Sequence, residues 1–166
     1  MVRSGRCVLP PEGGARAALV AAHDPRFDLI VDQRVRWLAE VAPYQPGRLF
    51  LRELPALRAV LADLDHPLSL VVIDGYVDLD PGGRPGLGAH LHAEVCVPVI
   101  GVAKTAFRSA THAVTVTRGG ARRPLYVTAA GMPTERAAAL VAGMAGPYRL
   151  PEALHRVDAL SRSGLR

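Results

Sequence analysis

The sequence predicts an α/β protein built on a mixed sheet, and three observations carry that prediction. The run Val71-Val72-Ile73 is apolar, β-branched and unbroken up to Asp74, the pattern of a central strand buried on both faces. A second run of the same kind, Pro98 to Ala103 with Lys104 at its end, follows across a short helical stretch. Together the two make a parallel strand, helix, strand crossover, right-handed by default. Upstream, three apolar segments separated by turn signals predict antiparallel strands. At 166 residues the chain is expected to form one domain over 1–166, large enough for a real core.

Each element has its own justification. Cys7 to Leu9 and Ala15 to Ala22 read as a hairpin around Pro10-Pro11-Glu12-Gly13-Gly14. After the turn His23-Asp24-Pro25, the residues Phe27, Leu29, Val31, Val35 and Trp37 partly alternate with polar ones, as in a half-buried strand. The loop Ala42 to Gly47 is too rich in proline for regular structure, and Pro43 and Pro46 stiffen the backbone on either side of Tyr44. A tyrosine placed so either acts as a wedge or packs under its own loop, and packing is the ordinary use. From Phe50 the period becomes helical, with Leu54, Leu57, Val60, Leu61 and Leu64 on one face and Pro55 expected in the first turn. Glu53 stands at the start of that helix, where the helix dipole alone accounts for an acid.

Gly75 lets the backbone turn sharply after Asp74, and Asp78 to Pro85 form a loop. Gly86 to Glu94 is a short helix bearing His90 and His92, which at i and i+2 do not share a face. Because the strands ending at Asp74 and Lys104 run the same way, the acid and the base are expected at one edge of the sheet, where open α/β sheets place their ligands. Ala113 to Thr117 and Leu125 to Thr128 are two further short strands, with Arg122-Arg123 between them. Thr134 and Glu135 open an alanine-rich helix to Val141, and a last helix after Pro151 carries Leu154, Val157, Asp158 and Leu160. Only the tail from Ser161 to Arg166 is expected to be disordered.

Composition narrows the function. The chain lacks an apolar run of the roughly 20 residues that span a bilayer, and Met1 to Gly14 has no apolar signal core, so a cytoplasmic protein without membrane contact is expected. Two cysteines, Cys7 and Cys96, far apart, support neither a disulfide framework nor a metal knuckle. The net charge of +5 and a pI near 9.9 permit a polyanionic partner. Of the 20 basic residues all but Lys104 are arginine, so a lysine at that one place points to a need for a compact ammonium charge rather than a guanidinium fork.

Several segments in order, PYQPG, FLRE, VVIDGY, GLGAH, PVIGVAK, RPLYVTAAG and YRLPEALHRVD, make the chain resemble the endonuclease V family from about Ala15 to about Leu160. The resemblance implies a ribonuclease H-like mixed sheet, three antiparallel strands extended by parallel ones and flanked by helices. It implies hydrolysis of DNA or RNA near deaminated adenine (deoxyinosine or inosine), by a monomer. It assigns Glu53 of FLRE, Asp74 of VVIDGY and Asp158 of the last helix to Mg²⁺, with Mn²⁺ as a substitute. Carboxylates suit such ions, which activate water and neutralise developing charge in phosphodiester hydrolysis. Lys104 would stand beside the scissile phosphate. Tyr44, with Pro43, matches the family's wedge, which fills the gap left when the damaged base is flipped out. The base pocket would draw on main chain around Gly75 and Gly86 to Gly88, with His90 nearby.

The departures from the family are as specific. Its first strand carries an Asp where this chain reads Gly5-Arg6-Cys7-Val8, which puts Cys7 in the acid's place, or Arg6 after a slip of one. A thiolate is a poor ligand for Mg²⁺, and an arginine among carboxylates competes with a metal for them. Glu12 lies in the hairpin loop, too far along to stand in. Tyr76 and Asp80 occupy positions where the family commonly has His, and Met132 replaces the His of a Gly-His pair. The alternative expectation is therefore a nucleic-acid-binding relative with weak or no hydrolysis.

Overall fold

The computed structural model describes residues 1–11, 13–63 and 66–163, so Glu12, Leu64 and the last three residues of the expected tail lie outside the described residues. Among the described residues seven strands make one sheet: β1 (Val2–Val8), β2 (Ala15–Ala22), β3 (Ile30–Leu38), β4 (Leu70–Asp74), β5 (Val99–Ala103), β6 (Val114–Val116) and β7 (Leu125–Ala130). Their order across the sheet is β3-β2-β1-β4-β5-β7-β6. β1, β2 and β3 are mutually antiparallel, β4 and β5 join β1 in parallel, and β7 and β6 close the far side antiparallel. This is the ribonuclease H-like mixed sheet that the sequence implied.

The described residues form four helices that cover it: α1 (Phe50–Ala62), α2 (Leu87–Val95), α3 (Thr134–Ala142) and α4 (Glu152–Arg162). Alternation along the strands sends their side chains into two apolar layers. Cys7, Val71 and Ile73 pack with Leu57, Val60 and Leu91 on the side of α1 and α2. Val2, Val72, Ile100 and Val127 pack with Val141, Leu154 and Val157 on the side of α3 and α4. Leu57, Ile73, Leu91 and Ile100 are fully buried, each such side chain contributing about 1.5–3 kcal/mol.

Four expectations need correction. The first strand begins at Val2, not Cys7, and carries Arg3 and Ser4 into the interior, so its apolar signal was hidden behind buried polar residues. Arg3 is accommodated because its guanidinium donates to the carbonyls of Leu61, in the last turn of α1, and of His66, beyond its end, each at 2.7 Å. Phe27 is buried in the turn before β3, at φ 57°, rather than in the strand itself. Pro55 is the sixth residue of α1, so it sits in the second turn. Tyr44 does not pack under its loop: it is 66% exposed.

One guanidinium organises the approach to α4. Arg118, nearly buried, donates to the carbonyls of Ala142, Tyr148 and Gly146 at 3.0 to 3.3 Å and to that of Met144, gathering the whole turn between α3 and α4. Among the described residues no helix is long and apolar enough to cross a membrane.

Candidate functional site

Topology brings the chemistry to one edge. β1, β4 and β5 are parallel, so their carboxyl ends coincide. β3 is antiparallel to β2, which is antiparallel to β1, so β3 leaves the sheet at the same end, and the Tyr44 loop and the start of α1 follow there. Asp74 is the last residue of β4. Lys104 directly follows β5, and its Nζ lies 2.9 Å from Asp74 Oδ2. α4 crosses β1 and β2 and delivers Asp158, whose Oδ1 is 3.3 Å from Lys104 Nζ. Asp74, Lys104 and Asp158 thus meet as the sequence implied.

A fourth group stands among them. Val2 to Gly5 of β1 run beside Leu70 to Ile73 of β4, and one residue further the register sets Arg6 beside Asp74. Its terminal nitrogen Nη1 is hydrogen-bonded to Asp74 Oδ2 and also forms an ion pair with Asp158 Oδ1. Arg162, one turn after Asp158, adds a third cation at 3.4 Å from that same oxygen. Arg6 is thus the residue at the end of β1 that faces the two aspartates. Cys7 points to the opposite face, buried against α1.

Glu53 stands in the first turn of α1. Burial raises its carboxyl to about 7, against the pull of Arg6 and Arg52. Burial, reinforced by the nearby Glu53, pushes the Cys7 thiol up to about 12. Burial alone would also raise Asp158, but Arg6, Lys104 and Arg162 outweigh it and hold that carboxyl below its usual range. Lys104 is shifted down, first by burial and then by Arg6, with Asp158 opposing.

The donor set does not fit a divalent metal as it stands. A guanidinium fills the space between the two acids that converge, and the third acid comes from α1, where it too is under the influence of Arg6. Among the described residues no three His, Cys, Asp or Glu side chains group closely enough to hold an ion.

The glycines serve packing more than recognition. A side chain on Gly86 would meet the carbonyls of Tyr76 and Val77 at 2.8 Å, and the Gly86 N–H is already donated to Val77 O at 2.7 Å. The Gly88 N–H goes to Tyr76 O at 3.1 Å. Gly75, at φ +148°, faces open space instead. His90 stacks its ring on Phe50 with centroids 3.7 Å apart, so it braces α2 against α1. His92 bonds the carbonyl of Val97 at 2.8 Å. Pro43 and Tyr44 are exposed. Beyond them, Leu49, Phe50, Leu79, Leu87 and Phe107 line an apolar groove of about 270 Å³.

Sequence reasoning missed three supporting residues. Arg149 donates to the carbonyls of Lys104 and, at 2.8 Å, Pro124, fixing the backbone that carries the lysine. Thr128 Oγ1 accepts the buried Val77 N–H at 2.8 Å. Arg162 was hidden in an expected tail. Only the i, i+4 spacing of Asp158 and Arg162 on one helix signalled a pair.

Comparison with known proteins agrees with this geometry. The family description Endonuclease V matches residues 10–127. The chain is 34% identical to the endonuclease V of Streptomyces coelicolor, over 95% of this chain and 82% of that relative. It superposes on the crystal structure of endonuclease V from Streptomyces avermitilis with a TM-score of 0.82 at 28% identity, covering 99% of this chain and 80% of that one. A Ciona intestinalis endonuclease V, solved with a 23mer DNA containing an inosine followed by a ribo-adenosine, shares the fold with a TM-score of 0.75 at 20% identity, over 97% of this chain and 83% of its own.

Proposed function

The chain belongs to the endonuclease V family, and from that premise we propose that it recognises deaminated adenine in DNA or RNA at the edge where β4, β5 and the Tyr44 loop meet. The observation that carries this is the placement of Lys104, held 2.9 Å from Asp74, at the end of the sheet that also presents the exposed Tyr44. A phosphate has an ammonium to meet, and a flipped base has an aromatic to replace it in the stack and an apolar groove to enter. The protein acts as a cytoplasmic monomer of one domain.

Two fates are open to a strand bound there. The family resemblance favours nicking supported by Mg²⁺ on Glu53, Asp74 and Asp158, and the meeting of Asp74, Lys104 and Asp158 supports it. The position of Arg6 across the two aspartates favours binding with weak or no hydrolysis, and the geometry supports this second fate better. One labelled duplex with a single deoxyinosine, and its deoxyadenosine counterpart, test the proposal by fluorescence anisotropy. Tighter binding of the deoxyinosine duplex is expected, and equal affinity for both would refute recognition. Tyr44→Ala should erase the difference while leaving unfolding stability within about 0.5 kcal/mol, as for other exposed substitutions. Cleavage followed on the same duplex, with Mg²⁺ and with chelator, separates the two fates.

A further inference from the structure

We propose that Arg6 is the resident cation of this site: its guanidinium stands where a divalent metal would bridge Asp74 and Asp158, so the protein grips a nucleic-acid phosphate without metal and leaves it uncut. This deepens the recognition proposed above and rests on it. The argument is one of charge and geometry. Arg6 reaches both aspartates at once, which is what a bridging ion does. Lys104 and Arg162 add two more cations within 3.4 Å of the same carboxylates. Three cations facing two acids leave the cluster with excess positive charge, which repels Mg²⁺ and attracts phosphate.

A lysine offers one point charge, whereas the planar guanidinium fork carries several donors and engages both carboxylates together. Its departure would leave Lys104 alone to bridge two partly buried carboxylates, so a metal must displace an ion pair rather than fill a gap. The cluster is thus complete before any ligand arrives. Hydrolysis needs a charge that holds and activates water as well as one that holds phosphate, and arginine supplies only the second.

The test begins with Mn²⁺ alone, its free-ion signal followed by electron paramagnetic resonance as protein is added. The native chain is expected to take up no ion. Arg6→Asp, which sets a third carboxylate beside Asp74, is expected to take up one. In anisotropy with the deoxyinosine duplex, native affinity should agree within twofold in Mg²⁺ and in chelator. Arg6→Asp should bind at least tenfold more weakly in chelator and recover with Mn²⁺. Uptake of one Mn²⁺ by the native chain that Asp74→Asn abolishes would overturn the assignment, as would a tenfold loss of native binding on chelation. If circular dichroism shows Arg6→Asp unfolded, the native and Asp74→Asn titrations decide alone. The ion titration contains no nucleic acid, so a failure to prefer deoxyinosine would count against recognition and not against Arg6.

Discussion

Glu53 shows how strongly placement governs a single side chain. Burial raises its carboxyl from 4.5 to about 7, so the folded protein holds a proton there that the unfolded chain has already released. Stability from this residue is therefore fully present below the unfolded value and is lost as pH rises from about 4.5 to about 7, by roughly 3 kcal/mol at most. Urea unfolding of the native chain and of Glu53→Gln across that range should give curves whose difference follows this sign. A flat difference would mean that Glu53 is solvated. At this scale the sequence was generous where chemistry is local to a strand end: Asp74 and Lys104 were identifiable from runs of apolar residues and from a solitary lysine, whereas Asp158 was singled out only by the family resemblance. It was ambiguous at Arg6, because neighbours in a strand point to opposite faces and only the register beside β4 says which of Arg6 and Cys7 meets Asp74. Nor could it show that Tyr44 is exposed, since stiffness of a loop says nothing of what the loop rests on.

Among the elements, the central strands depend on small residues where the backbone after β4 crosses β5. A side chain on Gly101 would meet Gly75 O at 2.6 Å, Val77 N at 2.8 Å and Thr128 Oγ1 at 2.9 Å. The first two are backbone atoms and cannot swing aside. Gly101→Ala is expected to destabilise the fold by about 1–3 kcal/mol, measured by denaturant unfolding, and to lower affinity for the deoxyinosine duplex because the Gly75 turn is pushed outward. An unchanged stability would show that the crossing has room for a methyl group. Strand and helix periods made nearly every element visible in the sequence: β4, β5, α2 and α3 fall within a residue or two of their expected bounds. The beginning of β1 escaped because Arg3 is buried through hydrogen bonds to carbonyls at and after the end of α1, a tertiary arrangement with no trace in local pattern.

For the whole molecule, the excess of basic residues becomes a statement about salt. A net charge of +5 with cations gathered at the carboxyl edge predicts binding that weakens steeply as salt rises, through release of counterions from nucleic acid. Beside Lys104, a hollow of about 270 Å³ is lined by Thr105, Arg123 and Tyr126 and lies along the same edge. Arg123→Gln should reduce the slope of log affinity against log salt by about one, with the preference for deoxyinosine unchanged. A slope equal to the native one would place the backbone of the strand elsewhere.

Arg118 bears on how the chain can be rebuilt. The turn from Gly143 to Leu150 has the look of a surface connection, rich in glycine and proline, into which a tag or a circular break is commonly introduced. Its carbonyls converge on one guanidinium, so an insertion there would scatter a set of acceptors that a single donor group satisfies and would cut α4 loose from β6. The protein's tolerance for splicing is thus the reverse of its appearance at this turn, and a fusion partner belongs on another face.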